Sequence, residues 1–439
     1  MRNVRRRLRL PNLPRSAWER RIDVAVRNGL IAALDVGTTK VCCFIARVQD
    51  DGTPRIVGIG HQLARGMRNG AVIDMEELET SIRASVDAAE EMAGERVRAV
   101  VVNISGGLPG SANVKVEVAM NGHPVNEADI RRMLDHGRAH HESPDRELIH
   151  AIPVDYTIDG NEGIKDPRGM FGDRLGVAIH VISAAIGPVR NLTTVVNRCH
   201  LDIEARVVSP YAAGLACLVD DEKDLGVTCI DMGGGTTSIA VFLAGQLIHT
   251  DVIPIGGAHV TSDIARGLST PVVQAERMKT LYGSAIPTPS DDREILKVPL
   301  VGEDEDGASN QVPRSMLIQV IQPRLEETFE LVRTRLEQGG FDKMAGRRVV
   351  LTGGASQMQG ARDLAGLVLD KQVRLGRPVG LQGLPEATGG PAFSGCAGLI
   401  RYALVHVPTP SRGRRAAISV GGGDGSAWGR LGGWLKRNF

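Results

Sequence analysis

The chain has 439 residues, enough for more than one domain with sizeable cores. Its 42% apolar and 23% charged residues are those of a soluble globular protein, its 3% aromatic content argues against a base-stacking nucleic-acid surface, and no apolar run approaches bilayer-spanning length. The net charge of +1 conceals basic ends: residues 1–29 carry +7 and residues 411–439 carry +5, which leaves −11 between them and points to the ends as the parts that meet an anionic surface.

Residues 1–29 hold nine arginines together with Pro11 and Pro14. They read as a flexible extension, or as a transit peptide, since those are also rich in arginine and poor in acids. Ordered structure begins with "LIAALDVGTTKVCCFIARV" (Leu30 to Val48), an apolar run, an aspartate, a glycine with two threonines, and a second apolar run. A strand follows over Arg55–Gly60, then a helix from about Met75 to Met92, with Asp74 placed to cap its start and Gly94 to end it. The run "VRAVVVNISGG" (Val97–Gly107) ends in a glycine pair. From about 106 to 180 the texture changes to short β runs (Val114–Val118, Ile149–Ile158) around a charged helix at Glu127–His141, as in an inserted subdomain. Strand pattern resumes at His180–Ile186, and a helix covers Arg190–Cys199.

The stretch "CIDMGGGTTSIAVFLAG" (Cys229 to Gly245) repeats the Leu30 pattern, so that Asp231 aligns with Asp35 and Thr236–Thr237 with Thr38–Thr39. "RRVVLTGGAS" (Arg347–Ser356) likewise echoes Val97–Gly107. One Gly-rich tip is ordinary hairpin chemistry. Two acidic, hydroxyl-bearing tips in two related halves are better read as a pair facing one cleft. Consecutive backbone N–H groups hold phosphate there, and the aspartates hold Mg²⁺ through its water shell.

Between the second tip and its echo lies a second insertion, from Thr261 to about Met344. It holds the helix "PVVQAERMKTLYG", a Pro/Asp/Glu-rich stretch (Ile286–Asn310) expected to be mobile, and the helix "RSMLIQVIQPRLEETFELVRTRLEQGG". After a small-residue helix, "SGCAGLIRYAL", the segment "VPTPSRGRRAAISVGGGDG" has the composition of a tether. In "SAWGRLGGWLKRNF", helical spacing puts Trp428, Leu431, Leu435 and Phe439 on one face, with Trp434 on its flank. Gly432 and Gly433 weaken such a helix by about 1 kcal/mol each. An anionic bilayer interface would supply the missing stabilisation, and docking on the protein's own core is the alternative. The six cysteines lack C-x-x-C spacing and read as reduced thiols, while His136, His140 and His141 lack the carboxylate of a metal motif.

The motifs "LDVGTTKV", "ARGMRNGAVID", "EGIKDPRGM", "DMGGGTTSIAVF", "IPIGGAHVTSDIA", "AERMK", "PRSMLIQVIQPR" and "LTGGASQMQG", in this order and followed by the amphipathic tail, resemble the FtsA family of bacterial actin-like cell-division proteins from about Leu30 to Phe439. The resemblance implies an α/β fold of the actin-like (ribonuclease H-like) duplicated type, two halves flanking a nucleotide cleft, each with an inserted subdomain. The implied division is an extension at 1–29, a first half at 30–105 and 181–207 with its family-specific insertion at 106–180, and a second half at 208–260 and 345–406 with its insertion at 261–344. A linker at 407–425 and a membrane-targeting helix at 426–439 complete it.

By the same resemblance the cofactors are ATP and Mg²⁺. Asp35 and Asp231 are the catalytic and metal-holding acids. Gly37, Thr38, Thr39 and Lys40 form the first phosphate loop, and Gly233, Gly234, Gly235, Thr236 and Thr237 form the second. Gly353, Gly354 and Ala355 approach the adenosine, and Glu276 and Lys279 reach the ribose and base, unless those two are simply a salt-bridged surface pair. Arg314 and Arg324 match basic positions that receive the acidic C-terminal tail of the tubulin-like FtsZ, the alternative being pairing with nearby acids such as Glu326 and Glu327. The other implied partners are the chain itself in a polymer, anionic inner-membrane lipids and downstream division proteins, with no nucleic acid. The family's water-orienting position falls on Ser209, a poor group for that task, so hydrolysis is expected to be slow at most. A sugar or acid kinase of the same fold, or a chaperone-type ATPase, is the alternative. The tethered tail suits neither.

Overall fold

The computed structural model describes residues 29–120, 122–139, 143–302 and 309–407. In chain order, β1 (Leu30–Val36), β2 (Lys40–Val48) and β3 (Pro54–Leu63) form a meander, followed by a small hairpin of β4 (Met67–Arg68) and β5 (Ala71–Val72). Helix α1 (Met75–Ala93) begins where Asp74 accepts the N–H groups of Glu76 and Glu77 at 3.0 and 3.1 Å. It ends at Gly94 in the left-handed region, φ 69°. Strand β6 (Ala99–Ile104) leads to β7 (Gly110–Ala119), α2 (Glu127–Ala139), β8 (Arg146–Ile158), β9 (Asn161–Ile164) and β10 (Arg174–Ala185). Then come α3 (Ile186–Arg198), β11 (Asp202–Val208), α4 (Ser209–Cys217) and α5 (Asp220–Leu225).

The second half opens with β12 (Val227–Met232), β13 (Thr237–Leu243), β14 (Gln246–Ile253), α6 (Gly257–Gly267) and α7 (Val272–Tyr282). Strands β15 (Ile295–Pro299) and β16 (Ser309–Pro313) precede α8 (Arg314–Gln338) and α9 (Phe341–Met344). Strand β17 (Arg348–Thr352), α10 (Ala361–Leu369), β18 (Gln372–Leu375) and α11 (Ser394–His406) close the described chain.

Two sheets have the same topology. The order β3-β2-β1-β6-β11 is matched by β14-β13-β12-β17-β18, three antiparallel strands followed by two parallel ones in each. In both, the first strand pairs antiparallel with its hairpin mate and parallel with the strand that ends in glycines, so each acidic tip lies at the same sheet edge as a strand end. One core spans the first sheet, α1, α3, α4 and α11, and a second spans the other sheet with α6, α7, α8 and α10.

A third core belongs to the four-stranded sheet β7-β10-β8-β9, which α2 covers. Two expectations change here. The strand anticipated at His180–Ile186 starts at Arg174 and pairs with β7 and β8, so it belongs to this sheet and not to the first half's. Within Ile286–Asn310 the described residues hold β15 and the start of β16, which pair as a hairpin because alternating Leu296 and Val298 bury one of its faces. Among the described residues no helix is long and apolar enough to cross a membrane. The predicted tail, with Trp428, Leu431, Trp434, Leu435 and Phe439, lies outside the described residues, as do residues 1–28.

Candidate functional site: a two-tip cleft

The two hairpin tips close with the same bond. Gly37 N–H donates to the Lys40 carbonyl at 2.9 Å, and Gly233 N–H to that of Thr236 at 2.8 Å. Each tip is then braced by a segment distant in sequence. Thr38 Oγ1 accepts Gly70 N–H at 2.9 Å, from the turn between β4 and β5. The N–H groups of Gly257 and Ala258, at the start of α6, donate to the carbonyls of Gly233 and Gly234 at 2.9 and 2.7 Å. The tips also touch each other. A Cβ on Gly234 would lie 2.5 Å from Thr39 Cγ2, and one on Gly235 would lie 2.4 Å from Thr38 Oγ1. Only glycine lets the two halves meet this closely.

Above the contact is a cavity of about 600 Å³, within the size range of small-molecule sites. Asp35, Gly37, Thr38, Thr39 and Lys40 line it from one half, and Asp231, Gly233, Gly234, Gly235 and Thr236 from the other. Glu276, Lys279, Gly353, Gly354 and Ala355 complete the wall on the second half's side. Gly353 has φ +84°, and a Cβ there would strike Asp231 Oδ1 at 2.4 Å.

Two expected residues act differently. Thr237 is fully buried in β13 and does not line the cavity; its hydroxyl donates to the Ile255 carbonyl at 2.8 Å. The alternation of β13 turns it from the cleft while Thr236, still in the turn, faces it. Lys40 lines the cavity, but its ammonium bonds the Ala392 carbonyl and stands 3.5 Å from the centroid of the Phe393 ring. Glu276 and Lys279 are a salt bridge and a cleft wall at once. Lys279 Nζ is 2.6 Å from Glu276 Oε2 and 2.9 Å from Thr261 Oγ1, which ties α7 to α6.

The two acids share a desolvated floor. Burial pushes the Asp231 carboxyl up to about 7, and the charge of Asp35 adds to the shift while Lys40 opposes it. Burial also raises Asp35, against which Lys40 and the Cys396 backbone N–H at the start of α11 act in the other direction. Two adjacent carboxylates held above their usual range fit a hydrated divalent cation, whose charge would restore both to the ionised form. The donor set therefore fits Mg²⁺ held between the acids and a nucleotide's phosphates. Among the described residues no cluster of three or more His, Cys, Asp or Glu side chains is placed to hold a metal by itself.

The cavity also includes Asn103, Ser105 and Ser209, of which sequence reasoning had singled out Ser209 alone. The signal for Asn103 was present, as the single polar residue in the strand "AVVVNI". Arg314 and Arg324 do not line the cavity and are paired within the chain. Arg314 is 2.8 Å from Asp291, which is 1% exposed, and also bonds the Tyr282 carbonyl and Gln359. Arg324 bonds Asp263 at 2.5 Å and also pairs with Glu327. The acids that pair with them stand on α6, on α8 and in the loop before β15.

Two related α/β halves meeting at acidic, glycine-rich tips over a shared cavity define the chain as a protein of the actin-like ATPase fold. A solved structure described as "PilM-PilN type IV pilus biogenesis complex" has this fold, with a TM-score of 0.61 at 18% identity over 85% of this chain and 98% of that one. Residues 228–398 match the family described as "Cell division protein FtsA", and residues 106–183 match "SHS2 domain inserted in FTSA". Proteins with the first description are 43% identical in Rhizobium meliloti (94% of this chain, 96% of that one) and 33% identical in Escherichia coli K12 (94% and 99%). The chain belongs to the FtsA family of cell division proteins.

Proposed function

We propose that this protein binds ATP·Mg²⁺ between its two tips, polymerises on the cytoplasmic face of the inner membrane, and anchors the FtsZ ring there while later division proteins are recruited. The observation that carries this reading is the two-tip cleft with its paired acids in a chain of the FtsA family. Nucleotide acts as a switch for assembly, and turnover is slow because the cleft offers Ser209 where a water-orienting acceptor is needed.

Membrane attachment falls to Trp428, Leu431, Trp434, Leu435 and Phe439, with Arg430, Lys436 and Arg437 each adding about 1 kcal/mol near anionic headgroups. One short anchor binds marginally, whereas a polymer presents many on one surface and gains avidity without new contacts. FtsZ's acidic tail would meet the second insertion. Arg314 and Arg324 are its candidates there, each having to exchange an internal acid for the tail's carboxylates, and the exposed Arg293 and Lys297, which form no ion pair among the described residues, add charge nearby.

Co-sedimentation with anionic liposomes tests the reading. The full chain with ATP pellets with the vesicles; a chain lacking residues 426–439 stays in the supernatant while still binding ATP. Pelleting of the truncated chain at the full-length level would show that the tail is not the anchor.

A further inference from the structure

Asn103 is the one polar residue of β6 and is 2% exposed, at the strand's cleft end. Its neighbours fix the orientation of its carboxamide. Val36 N–H donates to Oδ1 at 2.7 Å, which fixes Nδ2 as the donor; it gives one proton to Ser209 Oγ at 3.2 Å and the other, in a longer contact, to the Val36 carbonyl at 3.5 Å. Ser209 is the first residue of α4, 6% exposed, and lines the same cavity as Asp35 and Asp231. Its oxygen accepts from Asn103, and its own proton meets no acceptor among the described residues. The hydroxyl is thereby a donor aimed into the cavity, at the positive end of the α4 dipole.

We propose that Ser209 reads the terminal phosphate of the bound nucleotide, and that Asn103 is the positioning residue that holds its hydroxyl as a donor. The inference rests on the ATP reading above. A terminal phosphate presents only acceptor oxygens, which a fixed donor matches and a nucleoside diphosphate lacks at that place. A neutral hydroxyl whose oxygen already accepts from Asn103 is a weak base for the proton of an attacking water, so the site recognises the triphosphate while promoting its hydrolysis little.

Affinities for ATP and ADP, each with Mg²⁺, are measured by calorimetry on the full chain, on S209A, S209T and N103D, and on the S209A/N103D double variant. A hydrogen bond to a charged group corresponds to about tenfold in affinity. S209A should therefore lose about tenfold for ATP and less than twofold for ADP, at unchanged melting temperature, and S209T should restore the preference. N103D keeps an acceptor for Val36 N–H but turns the Ser209 proton toward the new carboxylate, so the ATP preference falls. Adding S209A to N103D should then cost nothing further, which separates positioning from the added charge.

Equal weakening of ATP and ADP by S209A, or a full S209A effect that persists beside N103D, overturns the inference. A full chain that binds neither nucleotide overturns the ATP reading and this inference with it. A full chain that binds both, with a preference that S209A leaves intact, overturns this inference alone.

Discussion

The cleft floor carries a cost that a single residue should reveal. Asp231 titrates at about 7 in the folded protein against a usual 3.8, so the folded state loses stability as pH rises from about 4 to 7 and bears the whole penalty above 7. That penalty is on the order of 4 kcal/mol at most. Asp231→Asn should therefore raise the melting temperature of the nucleotide-free protein at pH 8, and the gain should shrink by more than half at pH 5. Thermal unfolding at the two pH values checks this, and a lower melting point at pH 8 would contradict it. The acids themselves were legible in the sequence because the pattern around Asp35 recurs around Asp231. The acceptor of Thr237, the carbonyl that holds Lys40 and the partners of Asn103 were not, since each comes from a segment remote in sequence.

At the scale of elements, local signals read well and tertiary pairing did not. Asp74 and Gly94 delimit α1 because both caps act within one turn of the helix. Strand β10 was cut short, since nothing local says which of two sheets a β-branched run will join. Composition suggested mobility for Ile286–Asn310, yet the period-2 placement of Leu296 and Val298 makes β15 a strand. The start of α8 carries a further consequence. Arg314 neutralises the buried Asp291, so Arg314→Ala should destabilise the protein by about 3 kcal/mol by leaving a buried charge unpaired. Arg324→Ala, whose partners Asp263 and Glu327 are more exposed, should cost less. Urea denaturation distinguishes them. A neutral Arg314→Ala would mean that the ion pair is dispensable and the guanidinium available to a partner. Charge reversal at Arg314 would therefore test folding before it tests partner binding.

For the molecule as a whole, the duplication was legible because both halves repeat the same tip and the same glycine-ended strand. The way the pieces join was not. The inserted sheet docks on β14, the edge strand of the second half, where Ser111 Oγ both accepts Thr250 N–H and donates to the Thr250 carbonyl, each at 2.9 Å. It is also tied to the first half where His150, on β8, accepts Val208 N–H at 3.1 Å. These links set the inserted sheet against both halves, so closure at the tips and the position of the insertion belong to one connected body. Membrane attachment and assembly, in the proposed account, both depend on what the cleft holds. The most direct measurement is a calorimetric titration of the full chain with ATP, with Mg²⁺ and with a chelator, repeated on Asp231→Ala. The account predicts one site per chain, binding that requires Mg²⁺, and a loss of at least about tenfold in the variant, the range for removing one partner of a charged contact. ATP binding unchanged by the chelator and by the substitution, or no binding by the full chain, would contradict it.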